Sequence, residues 1–388
     1  MEKIEVQNLS KIFGDKPKRG VKLLKEGYSK EEILDKTGLT VGVNNVNFEI
    51  DSNEIFVIMG LSGSGKSTLL RCLNRLIEPT SGTVSIGGTD ITNLDKKSLR
   101  EIRKKKFGMV FQNFGLLPYK TVVENAEFGL EVQDISDEEK RKRAEDALEK
   151  VGLKGWEDKY PDELSGGMQQ RVGLARALAV DSDILLMDEP FSALDPLIKN
   201  EMQDLLLDLY EEVNKTIVFI THDLDEALKL GDRIAIMKDG EIVQLGTAEE
   251  ILTNSKTEYV EEFVKNVNRS RILTAKDIMT KPIAFLHEND GMEMARYKMS
   301  HNNISSIIAV KGKRKYRGII RMEDVFDAIK NDESDVSKLI KDTKTAKPDD
   351  SLDELSSDIS ELDVPIPVID ENNNVLGVIV KGNILANI

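Results

Sequence analysis

A glycine-rich turn that ends in lysine and serine is the strongest chemical signal in the sequence. It matches the pattern G-x-x-x-x-G-K-[ST], whose residues here are Gly60, Leu61, Ser62, Gly63, Ser64, Gly65, Lys66 and Ser67. Glycines allow a tight bend, so that successive backbone N–H groups and the start of the next helix face a phosphate group. The lysine can then reach the outer phosphates, and the serine hydroxyl can hold Mg²⁺. We therefore predict a nucleotide phosphate site that also includes Thr68.

Two adjacent carboxylates follow an apolar run later in the chain. Asp188 and Glu189 come directly after residues 184–187, which are predicted to form a buried strand. The carboxyl ends of parallel strands share one edge of a sheet, and phosphate loops lie at that edge. We expect Asp188 to hold Mg²⁺ through water and Glu189 to polarise an attacking water molecule. Taken alone, the pair is equally typical of a charged strand end that faces solvent.

Apolar runs that alternate with helix-compatible stretches must position these groups. The runs 55–59, 184–187 and 217–220 predict an α/β domain with a largely parallel sheet. The glycine-rich turn follows the first run and precedes a predicted amphipathic helix that carries Leu69, Leu70, Leu73 and Leu76. Residues 15–40 form a charged, helix-compatible insertion, and residues 258–271 are expected to be a weakly helical connector.

Length and composition narrow the function classes. The chain has 388 residues, enough for two or three domains. Its 54 Lys and Arg against 69 Asp and Glu give a net charge of −15, which disfavours a general electrostatic hold on nucleic acid. The single cysteine, Cys72, excludes internal disulfides, and the first residues lack the pattern of a secretion signal. No apolar run approaches the ~20 residues that cross a bilayer, so we expect a cytoplasmic protein that reaches a membrane only through a partner.

A degenerate repeat occupies the last third of the chain. Segments 307–310 and 318–320 are echoed by 367–369 and 377–379 with a shared offset of 59 residues. Pro282 and Pro348 form a further pair with an offset of 66, which predicts a helical middle seven residues shorter in the second copy. Two strand-helix-strand-strand-helix copies would pack as one small domain, although short Val/Ile strands followed by glycine also arise by chance.

The motif Leu164-Ser-Gly-Gly-Met-Gln-Gln170 has no use within its own phosphate site. It precedes a predicted helix over 169–179 and so presents a hydroxyl and backbone N–H groups as a second anion-binding surface. Over residues 1–252, the order of the motifs resembles that of the ATP-binding cassette (ABC) ATPases. The resemblance assigns further residues: the Q-loop glutamine, the D-loop aspartate, the switch histidine and the adenine-stacking aromatic are Gln112, Asp195, His222 and Phe13.

The resemblance implies an α/β fold with a P-loop ABC ATPase domain, which consists of a RecA-like core and a helical subdomain. Two copies would sandwich two ATP molecules, each held by the phosphate loop of one chain and the signature motif of the other. The signature residues acting in trans are Ser165, Gly166, Gly167 and Gln169. The implied catalytic residues are Glu189, His222, Lys66 and Gln112, and the Mg²⁺ set is Ser67, Gln112 and Asp188. Asp195 would communicate between the two sites.

Transport is the simplest role for a cassette of this size. Gly65 and Ser165 are 100 residues apart, too close for the coiled coil of chromosome-type ABC proteins. Only one cassette is present, whereas the translation factors have two. Residues 114–123 are unusually apolar for a loop beside a nucleotide site, as expected if they receive a helix from a membrane subunit. A core-facing turn is the alternative explanation.

The remaining segments resemble the ATP-binding subunit of glycine betaine/proline importers. The insertion 15–40 and the segment 160–164 carry this likeness, and the C-terminal repeat resembles paired CBS modules. The implied domains are an ABC ATP-binding domain at 1–266 and a tandem CBS domain at 267–388, with copies at about 275–335 and 340–388. The implied function is an ATPase that drives uptake of osmoprotectants of the glycine betaine, proline or carnitine type.

The implied partners are membrane-spanning permease subunits, a second copy of the chain and, indirectly, a substrate-binding protein. No nucleic acid partner is expected, and the chain would lie peripherally on the cytoplasmic face of the cell membrane. Two alternatives stay open: a soluble ABC ATPase that acts on nucleic acid or the ribosome, and a motor for another small solute such as an amino acid. Co-purification with a hydrophobic multi-span subunit separates the first alternative from an importer.

The CBS copies depart from the usual adenine-nucleotide pattern. That pattern has a Ser or Thr after the Gly-led strand and an Asp three residues later. The first copy keeps Asp324 but has Arg321 at the hydroxyl position, and the second copy has Val380 and Asn383. This departure disfavours AMP or ATP in that mode, and the resemblance leaves cyclic di-AMP open as a ligand of a CBS dimer interface.

A local cluster of basic residues reverses the negative charge of the chain. Residues 96–106 hold seven basic side chains against one acidic, Glu101. Such a cluster is attracted to an anionic membrane surface, and salt screens the attraction. It therefore suits a sensor of ionic strength, with the basic residues of 15–40 as a rival site. An ordinary solvated helix face is the alternative.

Overall fold

Strands and helices alternate through the first of two structural units, residues 1–267, as the apolar pattern predicts. The computed structural model describes residues 3–133, 135–265, 273–331, 333, 335–356 and 363–385. None of the helices in these ranges is long and apolar enough to cross a bilayer. The second unit comprises residues 268–388.

The first unit begins with a long strand and ends with a short helix. Its elements in chain order are β1 (Ile4–Phe13), α1 (Pro17–Lys25), α2 (Lys30–Thr37), β2 (Thr40–Ile50), β3 (Ile55–Met59), α3 (Lys66–Leu73), β4 (Ser81–Ile86), β5 (Thr89–Asp90), α4 (Lys96–Lys106), β6 (Phe107–Val110), α5 (Val122–Glu127), α6 (Asp137–Lys150), α7 (Gly166–Ala179), β7 (Ile184–Asp188), α8 (Pro196–Val213), β8 (Thr216–Thr221), α9 (Leu224–Leu230), β9 (Arg233–Lys238), β10 (Glu241–Gly246), α10 (Ala248–Thr253) and α11 (Glu258–Val264).

Two sheets share one core. The larger has the order β10-β9-β3-β8-β7-β6, in which β9 to β6 are parallel and β10 is an antiparallel edge strand. Strands β3, β7 and β8 are buried along their whole length, as expected for central strands covered on both faces. The smaller, antiparallel sheet has the order β2-β1-β4-β5. Side chains from both sheets and from α3 form one hydrophobic cluster.

Helices α5, α6 and α7 pack against one another and form a separate helical group after β6. The predicted RecA-like core and helical subdomain are therefore both present. The insertion between β1 and β2 folds as α1 and α2. Its buried Ile33 joins Ile12, Leu39 and Val41 in a small cluster against the antiparallel sheet.

Two local predictions require correction. Leu76 does not lie on α3, because the helix ends at Leu73 and Arg75 adopts a left-handed conformation with φ of 56°. The Arg75 guanidinium donates to the carbonyl oxygens of Ile91 and Leu94 at 2.7 and 2.9 Å, which directs the chain away from the helix axis.

The segment 258–271 is not merely a connector. Residues 258–264 form α11, and the Tyr259 hydroxyl accepts a hydrogen bond from the Leu61 N–H in the phosphate loop at 3.4 Å. The same hydroxyl lies 3.4 Å from the Met237 carbonyl oxygen. The rest of the predicted connector, apart from Lys265, lies outside the described residues.

The second unit contains two copies of one motif. Its elements are α12 (Ala275–Ile278), β11 (Phe285–His287), α13 (Met292–His301), β12 (Ser306–Lys311), β13 (Lys315–Arg321), α14 (Met322–Lys330), α15 (Leu352–Ser356), β14 (Ile366–Ile369), β15 (Val375–Ile379) and α16 (Lys381–Leu385). Both strand pairs are antiparallel and have the same register. Ala309 pairs with Gly318 and Val368 pairs with Gly377, each followed by a register shift.

The prediction that Pro282 and Pro348 are equivalent positions of the two copies is wrong. The His287 N–H donates to Asp290 Oδ2 at 2.8 Å, and the Lys347 N–H donates to Asp350 Oδ2 at 2.7 Å, so these equivalent turns lie 60 residues apart. Pro348 directly follows Lys347, whereas Pro282 precedes His287, so the two prolines are not structurally equivalent. The second copy is one residue shorter in its helical middle, not seven, because the offset changes only from 60 to 59.

Candidate functional site

The phosphate loop connects β3 to α3 and depends on glycine at both of its ends. Gly60 and Gly65 have φ angles of 153° and 101°, which residues with a side chain rarely adopt. A Cβ atom at Gly65 would collide with the carbonyl oxygen of Gly42 on β2. The sequence pattern therefore corresponds to a tight bend that no other residue would allow.

Lys66 folds back over the phosphate loop. Its Nζ donates to the carbonyl oxygens of Gly60 and Leu61 at 2.8 and 3.1 Å and lies 3.6 Å from Oε1 of Glu189. Only 5% of the residue is exposed. Burial lowers the pKa of Lys66, and the nearby Glu189 carboxylate opposes that shift. A buried ammonium in a cleft is a strong attractor for an anionic phosphate group.

Ser67 and Asp188 place two oxygen ligands beside the loop. The Ser67 hydroxyl donates to Asp188 Oδ1 at 2.8 Å, and Nη2 of Arg71 donates to Asp188 Oδ2 at 3.1 Å. A hydroxyl and a carboxylate are hard ligands of the kind Mg²⁺ prefers, usually with substrate phosphates and water. In the described part of the chain, no group of three or more His, Cys, Asp or Glu side chains could hold a metal ion alone. The residues therefore fit Mg²⁺ bound together with a nucleotide.

Glu189 stands at the edge of the parallel sheet, one residue beyond β7. It has φ of 47°, and its N–H donates to the Ile220 carbonyl oxygen of β8 at 3.2 Å. Its Oε2 lies 3.0 Å from Nδ1 of His222, which follows β8. A carboxylate held at this edge is well placed to accept a proton from water.

A cavity of about 750 Å³ opens onto these groups. Most of the predicted nucleotide residues line it, namely Phe13, Leu61, Ser62, Gly63, Gly65, Lys66, Ser67, Thr68, Gln112, Glu189 and His222. Gly60, Ser64 and Asp188 do not line the cavity, although Gly60 and Asp188 bond directly to Lys66 and Ser67. The Phe13 ring is partly exposed, with Nζ of Lys11 lying 4.9 Å from its centroid.

Several residues of this site are not predicted by the sequence pattern. Lys30 of the insertion lines the cavity, together with the start of β2 at residues 40–42. No sequence pattern links Lys30 to the loop, because the contact depends on how α2 packs. Arg71 had a usable signal, since it lies four residues after Ser67 and therefore on the same face of α3.

The signature residues do not line the cavity of their own chain. Ser165 caps α7 by accepting from the Met168 N–H at 3.4 Å, so the helix begins at Gly166 rather than at the predicted Gln169. The Gln169 amide donates to the carbonyl oxygens of Pro161 and Leu164 at 3.0 and 3.2 Å, which fixes the preceding turn. A Cβ at Gly167 would strike Ile198 on α8.

A polar network joins α8 to Asp223, the residue that follows His222. Asp195 caps α8 by accepting from the Ile198 N–H at 3.2 Å. One turn later, Nζ of Lys199 donates to Asp223 Oδ2 at 2.6 Å and lies 3.5 Å from Oε1 of Glu226. Glu226 also accepts from Thr221. The segment around His222 is therefore tied to the start of α8.

In the second unit, the side chains predicted at the CBS ligand positions are largely engaged. Nζ of Lys341 donates to both carboxylate oxygens of Asp324, at 2.9 and 2.8 Å. Nη2 of Arg321 lies 3.8 Å from Oδ2 of Asp363. The Val380 N–H donates to Oδ1 of Asn383 at 3.1 Å. In this structure the Asp324 carboxylate is therefore paired with Lys341.

Comparisons with known proteins cover nearly the whole chain. A sequence model of the family described as ABC transporter matches residues 43–192, and one described as CBS domain matches residues 275–331 and 334–388. The glycine betaine transport ATP-binding protein OpuAA of Bacillus subtilis (strain 168) is 53% identical over 383 residues, which are 99% of this chain and 91% of that protein. The glycine betaine/carnitine transport ATP-binding protein GbuA of Listeria monocytogenes serotype 1/2a (strain 10403S) is 50% identical over 387 residues, with coverage of 100% and 97%.

The chain is also similar to a solved structure of the ATP-binding cassette MJ0796, a dimer in a post-hydrolysis state bound to ADP and Pi. The identity is 37% and the TM-score is 0.53, and the match covers 63% of this chain and 98% of that chain. The predicted order of an ATP-binding cassette followed by a CBS pair is confirmed by these matches.

Proposed function

The chain belongs to the family of ATP-binding proteins of glycine betaine ABC transporters, and on that premise we propose that it hydrolyses ATP to drive uptake of a glycine betaine, proline or carnitine type osmoprotectant. The observation that carries the proposal is an identity of 50% or more along almost the full chain, insertion and CBS pair included. The relatives described above are transport proteins, which favours an importer over a nucleic acid or ribosome ATPase. No residue of this chain would touch the solute.

ATP would bind with its phosphates on the loop and its adenine on Phe13. Lys66 would exchange its contacts with the Gly60 and Leu61 carbonyl oxygens for phosphate oxygens. Mg²⁺, held by Ser67, Asp188 and Gln112, supplies charge neutralisation to the phosphates when it is bound. The supporting observation is that these groups surround a single cavity or bond to the residues that line it.

Glu189 would act as the general base for the attacking water. The carboxylate is mostly buried, and the His222 imidazole and the Lys66 ammonium lie on its two oxygens. These contacts fix its orientation before substrate binds, which lowers the reorganisation that hydrolysis requires. His222 would hold Glu189 in position and Gln112 would contact the water and the metal.

A second copy of the chain would complete each site. Ser165, Gly166, Gly167 and Gln169 lie away from the cavity of their own chain, at the start of α7, and a helix N-terminus favours an anion. The similar cassette MJ0796 is a dimer in its solved structure. Asp195, which caps α8, would contact the neighbouring site in such a dimer.

The permease subunits would dock beside the loop that follows β6. A groove of about 470 Å³ there is lined by the apolar side chains of Phe111, Phe128 and Val132 and by basic side chains that include Arg100 and Arg176. Its apolar part suits a membrane-subunit helix. The chain would thereby be held peripherally at the cytoplasmic face of the membrane, with a substrate-binding protein acting only through the permease.

The CBS pair would regulate transport, and cyclic di-AMP is its proposed ligand. The Lys341 contact to Asp324 supports a ligand other than a mononucleotide bound through its ribose. Calorimetric titration of the full chain with cyclic di-AMP and with AMP tests this proposal. Binding of AMP in preference to cyclic di-AMP would contradict it.

Reconstitution with its permease in vesicles tests the transport function. ATP enclosed with this chain should drive uptake of glycine betaine, proline or carnitine, and a Lys66→Ala variant should not. The matched control replaces Lys154, whose side chain is exposed and lies outside the cavity lining, by Ala. ATP-dependent uptake of an unrelated amino acid without uptake of any of the three osmoprotectants would favour the small-solute alternative.

A further inference from the structure

The second helix of the insertion begins at the nucleotide cavity. Lys30, the first residue of α2, lies at the phosphate loop, while the chain leaving α2 enters β2 at Thr40, which pairs with Phe13. Lys30 and Thr40 both line the cavity, so the two ends of the segment that runs from α2 into β2 lie at its border.

Local packing fixes where α2 begins. The Ser29 hydroxyl accepts from the Glu32 N–H at 3.2 Å, and the Ser29 N–H donates to Glu32 Oε2 at 2.8 Å, which together form a capping box. One turn into the helix, Ile33 is fully buried against Ile12 and Val41. The backbone of Lys30 is thus held by a packed helix rather than by a loose surface loop.

The Lys30 ammonium reaches the loop itself. Its Nζ donates to the carbonyl oxygen of Gly63 at 3.1 Å, and the half-buried side chain lines the cavity. In the part of the chain that the structure describes, no carboxylate lies within ion-pair distance of this Nζ. An ammonium has three N–H donors, so two stay available for an anion in the cavity.

We propose that Lys30 binds the phosphate chain of the nucleotide in the same subunit, as a second cation beside Lys66. The inference rests on the proposed ATP site and adds a contact from a segment outside the cassette motifs. Lys66 donates to the carbonyl oxygens of Gly60 and Leu61, whereas Lys30 donates to that of Gly63, so the two lysines contact different parts of the loop. The insertion is thereby part of the nucleotide site.

This contact forms with the bound nucleotide before reaction and does not touch the attacking water. An interaction equally strong in the ground state and the transition state changes KM and leaves kcat almost unaltered. A charge-assisted contact to phosphate depends on the phosphates present, so it should favour ATP and ADP over AMP.

Direct binding of ATP and AMP to the full-length chain tests the proposal. Lys30→Gln should weaken ATP binding about 10-fold, equivalent to about 1.4 kcal/mol, and leave AMP binding unchanged. Lys30→Arg should retain most of the ATP affinity, because a guanidinium also binds phosphate. In the complex with permease, Lys30→Gln should raise the KM for ATP by a similar factor with little change in kcat.

Lys22→Gln is the matched control, because it removes the same charge from the insertion at a side chain that is 80% exposed and away from the cavity. The ratio of ATP to AMP affinity within each variant cancels any inactive fraction of protein. Equal ATP affinity in the Lys30→Gln and Lys22→Gln variants, or equal losses for ATP and AMP, would overturn the Lys30 contact. A parent chain that binds ATP but drives no osmoprotectant uptake would reject the proposed transport function and leave the contact standing.

Discussion

Nδ1 of His222 lies 3.0 Å from Oε2 of Glu189, across the edge of two adjacent parallel strands. Strand β7 ends at Asp188 and β8 at Thr221, so each of the two residues is the first beyond its strand. An ionised carboxylate only accepts hydrogen bonds, so the imidazole nitrogen is the donor in this pair. The register of the sheet therefore brings together a base and the group that orients it, although they are 33 residues apart.

We predict that Glu189→Gln retains ATP binding and nearly abolishes hydrolysis. The amide can keep the contact with His222 but cannot accept a proton from water as a carboxylate does. Loss of the negative charge 3.6 Å from Lys66 also leaves that ammonium freer to bind phosphate. ATP binding by the isolated chain and the turnover rate in the complex measure the two effects, and an ATP-loaded dimer should accumulate.

Asp188→Asn is the informative comparison for that variant, because it changes the neighbouring carboxylate, which bonds Ser67 and Arg71. It should weaken Mg²⁺-dependent binding, which Glu189→Gln should leave intact. Hydrolysis by Glu189→Gln at near the parental rate would show that another group is the base.

We predict that Lys199→Met lowers ATPase turnover and stability together. Lys199 ties the start of α8 to Asp223 and Glu226, so its loss should misplace the segment that carries His222. We expect kcat to fall several-fold with little change in the KM for ATP, and Lys199→Arg to restore part of the rate. A change confined to KM would argue against this positioning role.

Lys199→Met should also alter the pH dependence of the free energy of unfolding. Burial alone would raise the pKa of Asp223, but the hydrogen bond and charge of Lys199, together with hydrogen bonds from the Glu226 and Asp225 N–H groups, outweigh it and lower the pKa below the usual range. A carboxyl group whose pKa is lowered by folding stabilises the folded chain at pH values above its pKa in the unfolded chain, about 3.9. This stabilisation is lost as pH falls through the pKa of the group in the folded chain. The difference in unfolding free energy between parent and Lys199→Met should be about 1 kcal/mol at pH 7, because solvent screens the partly exposed Asp223, and it should shrink as pH falls below about 4. Urea unfolding at pH 7 and pH 3.5 measures it.

Removal of residues 267–388 should leave a folded ATPase. The phosphate loop, the signature motif and both carboxylates belong to the first unit, which has its own hydrophobic core. ATP binding by the truncated chain should match that of the full chain, while any response of transport to a CBS ligand should disappear. A folded truncation that fails to bind ATP would show that the second unit takes part in the catalytic site.

The sequence was sufficient to predict most of the residues that line the cavity or bond to its lining, because the proposed phosphate chemistry demands fixed spacings along one chain segment. The loop from Gly60 to Ser67 must bend tightly and donate hydrogen bonds to phosphate. Asp188 and Glu189 must stand at the end of a buried strand. Contacts between distant segments have no such spacing. Lys30 meets Gly63 only because Ile33 anchors α2 to the antiparallel sheet.

Other contacts between distant segments are not predictable from the sequence for the same reason. The partnership of Lys199 with Asp223 depends on the packing of α8 beside β8, which no periodicity predicts. Pro282 and Pro348 match in residue type but not in structural position, so residue type alone predicts a false pairing. The hydrogen-bonded turns at Asp290 and Asp350, which set the real offset, use residue types that recur throughout the chain.

The basic helix α4 divides into side chains with internal bonds and side chains that face solvent. Arg103 donates to the carbonyl oxygens of Asn74 and Arg75, and Nζ of Lys106 lies 2.6 Å from Oδ2 of Asp183. Four of the seven basic residues are exposed, namely Lys96, Lys97, Arg100 and Lys105. A test of membrane attraction should therefore spare Lys106, whose replacement would also disturb the contact with Asp183.

We predict that replacing Lys96, Lys97 and Lys105 together by Gln lowers the salt concentration at which transport is activated in anionic vesicles. Attraction of exposed cations to an anionic surface fades as the Debye length falls from about 10 Å at 0.1 M salt to about 3 Å at 1 M, so fewer cations require less salt for release. ATPase activity in detergent should change little, because these residues lie outside the nucleotide cavity. The matched control removes three exposed cations from α6 and the turn after it, Lys142, Lys150 and Lys154, and should leave the threshold unchanged. An identical threshold in both triple variants would eliminate α4 as the sensor and direct the search to the basic residues of the insertion at 15–40.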